Sequence, residues 1–415
     1  MSNLILNRNS YIGIVLLGCI AGIHTEIIVL IAVFLWIIIN YQKCYKLSRR
    51  WISFFLFLFL HGIILLSLLG YSYEKFLQQF VLLSLTYLLY YQIFRFCKLS
   101  ADKWFQVYLK VVYFISVVGL FTFVVKCITG MDIFPYTFDG VKTQSTYRLH
   151  AFLAEAGSFV VFTIPAVSYI FLSPYYFIEN KKKSLLILVA FILTLSTSAV
   201  VALFTIFIIK LYKSYKYFRL LLLICIVGGT AWLSVNYYQL KPSETVDTNS
   251  GFGAVQLKIY ETLTVLENAT PYDFESLNLS SYATLTNYWI AFNAPSRLFG
   301  TGLGTHSQNY ESLYKSSFDK YGLNKDDGYS LFARLFSEFG LIGICVYVLF
   351  LIKCYNKYNL ISICLLVFFV SYLIKGGHYT LYGTALFHFL YYMVYKSSKN
   401  KKNESYDFGN HPDFR

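Results

Sequence analysis

The feature that most constrains this chain is a series of long apolar runs separated by short basic clusters. About 20 apolar residues span a bilayer as a helix, and fewer serve where helices are short or tilted. Runs of that kind lie near 51–70, 76–94, 104–128, 151–173, 219–235, 331–352, 358–374 and 379–395. The stretch Tyr11–Tyr41 is too long for one span and is interrupted by Gly22, His24 and Glu26, so it reads as a tight pair, 11–23 and 26–42. The run 184–212 breaks at Leu195-Ser-Thr-Ser198 and reads as a second tight pair. The sum is an all-α integral membrane protein of about twelve transmembrane helices.

Charge placement gives a direction to the parse. With the N-terminus in the cytoplasm, the loops that fall inside are the basic ones. They carry Lys43, Lys46, Arg49 and Arg50, then Arg95, Lys98 and Lys103, then Lys181–Lys183, then Lys210, Lys213, Lys216 and Arg219, and then Lys353 and Lys357. Both termini are then cytoplasmic, and the polar tail after Lys396 reads as unstructured. The net charge of +14 would suggest nucleic acid in a soluble chain, but here it sets topology. Charged residues are 13% of the chain, against roughly 25% in soluble proteins. The first run lacks a small-residue cleavage site and reads as a retained span. The eight cysteines sit in or beside apolar runs without CxxC spacing, so neither a disulfide framework nor a thiolate metal site is expected.

Four parts follow: an N-terminal bundle over 1–235 with an outer loop at 129–150, a large extracytoplasmic loop over 236–328, C-terminal spans over 329–396, and a tail over 397–415. The large loop is net acidic and has amphipathic stretches such as Phe252–Leu266, so short helices over the outer membrane face are expected.

Ionisable groups at membrane depth are costly, which makes them functional candidates. Arg148 sits at the outer mouth of a span, and Glu155, seven residues on, lies two helical turns deeper on the same face. They would grip a phosphate, or else fix helix packing as an ion pair. Pro295–His306 has glycines at 300, 302 and 304, so Arg297 and His306 would flank either an anion-binding loop or an ordinary turn. Asp326, Asp327 and Tyr329 open the return into the membrane, followed by Arg334 and Glu338 at i, i+4, where mutual neutralisation competes with substrate binding. Lys375-Gly-Gly-His378 is a short outside turn whose lysine is either a snorkelling side chain or a phosphate contact. His61 and His388 read as packed and hydrogen-bonded. No HExxH or paired His/Asp spacing suggests a metal, and no Walker A motif suggests nucleotide use.

These segments resemble the Wzy-type O-antigen and capsular polysaccharide polymerases, within the superfamily that includes O-antigen ligases. The likeness is carried by Arg148–Ser158, by Leu298-Phe-Gly-Thr-Gly-Leu-Gly-Thr305, by Tyr329–Gly343 and by the hydropathy layout. It implies a metal- and cofactor-free glycosyltransferase at the outer face of the bacterial cytoplasmic membrane, acting on undecaprenyl-pyrophosphate-linked repeat units. A flippase and a chain-length regulator would be its partners. Arg148, Glu155, Arg297, His306, Asp327 and Tyr329 are then candidates for catalysis, and Arg334, Glu338, Lys375 and His378 for substrate binding. Three departures stand out, the first being that Arg297 has no Gly eleven residues later, so the Arg-x10-Gly pattern of some polymerases is absent. The ligase-type His is Tyr329 here, which leaves the base open among His306, Asp327 and Tyr329. Thr197 stands where the ligase pattern has Arg. The alternatives are glycan ligation to another acceptor, and a lipid-linked oligosaccharide flippase.

Overall fold

The structure, a computed structural model, describes residues 12–16, 31, 35, 48–96, 99–134, 137–138, 141–142, 148–153, 155–214, 270–277 and 279–409. Most of the first tight pair, the run 219–235 and the loop through residue 269, with Phe252–Leu266, lie outside them.

The described chain is helical apart from a two-residue hairpin pairing Thr137–Phe138 with Val141–Lys142. The helices are α1 (Arg49–Leu69), α2 (Tyr73–Phe96), α3 (Ala101–Thr129), α4 (Ala156–Leu172), α5 (Pro174–Glu179), α6 (Lys181–Leu193), α7 (Thr197–Ser214), α8 (Leu279–Phe292), α9 (His306–Leu313), α10 (Leu331–Cys354), α11 (Leu360–Ile374) and α12 (Thr384–Gly409). Among the described residues three are long and apolar enough to cross a membrane: Trp51–Leu69, Ala101–Thr129 and Leu331–Cys354. Their outward faces carry apolar side chains such as Leu68, Phe121 and Ile352, more than 60% exposed, a surface suited to lipid.

Caps set the boundaries of α1 and α3. Ser48 and Ser100 accept backbone N–H bonds at their starts, and Gly70 and Gly130 close them in left-handed conformation. Two boundaries differ from the sequence reading. The apolar run from 151 begins its helix only at Ala156, because Ala151 turns at φ 56° and Glu155 is extended. Arg148 and Glu155 therefore do not share a helix face. At the other end, α12 continues past Lys396 to Gly409, since an established helix adds residues at little cost.

Two cores form. The larger unites the long helices. The smaller lies in the segment 270–323, where Phe274, Tyr282, Ile290, Tyr310 and Tyr314 pack together. The glycine stretch links them. Gly300, Gly302 and Gly304 all have positive φ, and a Cβ on Gly300 would lie 2.3 Å from the Glu338 carbonyl carbon. The close backbone approach expected of these glycines is thus made, but to α10, α1 and α2.

Candidate functional site

Two of the candidate segments, 148–158 and 375–378, meet at the turn between α6 and α7, Thr194–Thr197. Arg148 donates through Nε to the Thr194 carbonyl (2.9 Å) and through Nη2 to the Leu195 carbonyl (3.1 Å). These are carbonyls at the C-terminal end of α6, where a cation complements the helix dipole. Lys375 reaches Thr197 Oγ1 from 178 residues away. Glu155 turns back over Gly157, where a Cβ would meet its Oε1 at 2.8 Å and Ser196 Oγ at 4.0 Å. The Glu155 carboxylate lies within electrostatic reach of Lys375, Asp327, Arg148 and His378. It is solvent-exposed yet crowded by protein, which places it in an open crevice. Among the described residues Arg148 and Glu155 form no ion pair.

The opposite wall is the turn before α10. Gly328 and Tyr329 are both left-handed, at φ 67° and 58°, an uncommon conformation for tyrosine. It is held by Tyr329 N–H donating to Asp327 Oδ1 (3.1 Å) and by Gly376 N–H donating to the Tyr329 carbonyl (2.9 Å). Gly377 admits the Asp327 backbone, since a Cβ there would overlap its carbonyl oxygen. The two glycines of Lys375-Gly-Gly-His378 thereby press both flanking side chains onto this turn. His378 Nε2 lies 3.1 Å from Asp327 Oδ2, and the Lys375 ammonium sits 5.1 Å from the centre of the Tyr329 ring. Burial alone would push the Asp327 carboxyl up. The His378 bond and charge, the Tyr329 N–H and the Arg334 guanidinium outweigh burial and hold the carboxyl below its usual range. An ionised Asp327 accepts the Nε2 proton of His378, which leaves Nδ1 as the nitrogen able to take a proton.

Beneath this wall, Arg334 and Glu338 are buried and turned on their neighbours. Arg334 donates to Glu338 Oε1 (3.1 Å), to the Gly377 carbonyl (3.0 Å) and to Gln79 Oε1 (3.1 Å), and lies 4.3 Å from the centre of the Tyr379 ring. Tyr379 donates to Glu338 Oε2 (2.8 Å). This arrangement braces the 375–379 turn and leaves the pair behind the crevice wall.

Two candidates lie elsewhere. Arg297 is exposed, and its backbone meets Leu341, eleven residues past Ser330 and so roughly 16 Å farther along α10 at 1.5 Å per residue. His306 is fully buried, with Nε2 on Asn287 Oδ1 at 2.9 Å. Burial and the nearby Arg334 push it down to a pKa of about 3. It packs against Asn287 within the 270–323 segment and does not reach the crevice. His61 bonds to the Phe299 carbonyl, and His388 sits between the Tyr87 and Tyr347 hydroxyls.

Ser196 and Thr197 belong to the site but were not singled out as candidates; the break in the apolar run signalled both, and Thr197 also stood where the ligase pattern has Arg. Asp132, which binds both Lys126 (2.8 Å) and His150 (3.1 Å), gave no signal at all. Set against protein-family models, characterised proteins and solved structures, the chain finds no match.

The crevice thus gathers two cations, Arg148 and Lys375, an exposed carboxylate, Glu155, and a carboxylate–imidazole pair, Asp327–His378. Its chemistry suits an anion at one side and a proton transfer at the other.

Proposed function

We propose that the chain polymerises oligosaccharide repeat units carried on polyprenyl pyrophosphate. In this reading it is a multi-pass protein of about twelve spans in the bacterial cytoplasmic membrane, with both termini inside and the crevice at the outer face. The observation that carries the proposal is the convergence of Arg148, Lys375 and the Asp327–His378 pair, from separate segments, around Glu155.

The reaction needs two kinds of help. A hydroxyl of one unit attacks the anomeric carbon of another, and His378 Nδ1 takes the hydroxyl proton while Asp327 stabilises the resulting imidazolium. The glycosidic carbon–oxygen bond to pyrophosphate breaks as the new one forms. The leaving pyrophosphate gains charge, and Arg148 and Lys375 stabilise it. Tyr329 holds Lys375 against its ring, Glu155 orients the two cations or binds sugar hydroxyls, and Arg334 and Glu338 position the turn that bears His378. Arg297 and His306 have no part in this chemistry.

Replacing Arg148 by Ala tests the proposal in a host strain lacking the native chain. Glycan electrophoresis should show lipid-linked single repeat units in place of long glycan. A normal ladder of lengths would refute the role. Long lipid-linked chains that await transfer would point to ligation, and no product at the outer face would point to flipping.

A further inference from the structure

A groove outside the crevice runs up to Asp326, the neighbour of Asp327. One cavity of about 640 Å³ lies between Tyr71 on the α1–α2 turn and α9, and a second of about 260 Å³ shares Gln308 and Glu311 with it and reaches Asp326. Asp326 adjoins Asp327 of the proton-transfer pair. Lys75, at the same inner end, precedes by one helical turn Gln79, which holds Arg334.

The walls are fixed in place. Gln308 donates to the Ser72 carbonyl (3.0 Å) and accepts the Ser72 N–H (2.8 Å), and Tyr71 donates to Asn309 Oδ1 (2.9 Å). A groove held open in this way spares a ligand part of the ordering cost.

Its chemistry selects the ligand class. Glu74, Glu311 and Asp326 line it against Lys75, Lys315 and Lys325, three carboxylates and three ammonium groups. Two pairs are already made, Lys325 with Glu311 at 2.6 Å and Lys75 with Asp326 at 3.3 Å. Exposed pairs of this kind add little to stability. They do supply many hydrogen-bond donors and acceptors with no net charge. Such a lining disfavours a free phosphate or a strongly basic peptide. Tyr71 and Tyr321 add aromatic rings with a polar tip, while few aliphatic side chains are present to anchor a lipid.

We infer that this groove binds the glycan of the lipid-linked substrate, several sugars away from the reacting bond, as a hydroxyl-rich oligosaccharide without net charge. The inference rests on the polymerase reading for its ligand class.

The test uses the full chain in lipid nanodiscs and, as probe, the polyprenyl-pyrophosphate-linked repeat unit that accumulates in the host strain lacking it. Ser312→Trp would fill the groove from its exposed wall. Lys315→Ala removes a lining ammonium and keeps the backbone carbonyl to which Tyr272 donates. Each variant should raise the half-saturating substrate concentration about tenfold while the saturating rate stays within about twofold, the pattern of lost substrate binding. Wild-type kinetics in both variants would overturn the inference. So would a lower saturating rate at an unchanged half-saturating concentration, which marks a structural role. Failure of the wild-type chain to lengthen this probe would sink the polymerase reading itself, separately from the groove; His378→Ala is the control, in which the saturating rate should fall.

Discussion

His306 and His378 show how position divides two identical side chains. The ring of His306 is sealed within the 270–323 segment and meets one amide oxygen, so it stays neutral, with a pKa of about 3. In the unfolded chain an ordinary histidine binds its proton near pH 6.5. Between those values the unfolded state holds more protons, so stability rises with pH and is lost as pH falls below about 6.5, by up to ~1.4 kcal/mol per unit. Hydrogen-exchange protection factors in the 270–323 segment, which remove the intrinsic pH dependence of exchange, should therefore fall from pH 6.5 to pH 5 in the wild type and do so less steeply in His306→Gln. Equal slopes would contradict this. The sequence exposed His306 as a titratable group but not its burial, because Asn287 lies 19 residues away in another helix. It exposed Arg148 and Glu155 as costly groups, yet their supposed shared face failed on backbone conformation at Ala151 and Glu155.

At the scale of elements, α10 is the clearest case of a boundary legible only in part. Its start was readable from Ser330, whose hydroxyl caps Ala333 N–H. Its kink at Gly340 was not, since the cause is the glycine stretch crossing it. Leu341 N–H donates to the Arg297 carbonyl, and a Cβ on Gly340 would lie 2.3 Å from the Leu298 oxygen. Gly340 also sits at φ 63°, where L side chains are disfavoured. Gly340→Ala should destabilise the fold by roughly 3 kcal/mol, through overpacking and left-handed strain together. Thermal unfolding in detergent measures it, and an unchanged midpoint would argue against the crossing. The α6–α7 break was visible as Leu195-Ser-Thr-Ser198. Its partners were not, because Arg148 and Lys375 reach it from distant segments and local pattern carries no sign of them.

Across the whole molecule, the hydropathy pattern announced apolar helices, and three stand out by length and composition. Which residues share a site was decided by packing. The site joins the 148–155 segment, the 194–197 turn, the 327–330 turn and the 375–378 turn, and two pairs of glycines or left-handed residues make the last two fit together. The lysine reaching Thr197 and the histidine on Asp327 both come from one turn. The proposed chemistry therefore stands or falls on that turn. The most direct measurement is the length distribution of glycan made in a host strain whose only copy of the chain carries His378→Ala, with membrane insertion checked by the amount of protein. The proposal predicts lipid-linked single repeat units and no ladder; a ladder like that of the wild type would contradict it.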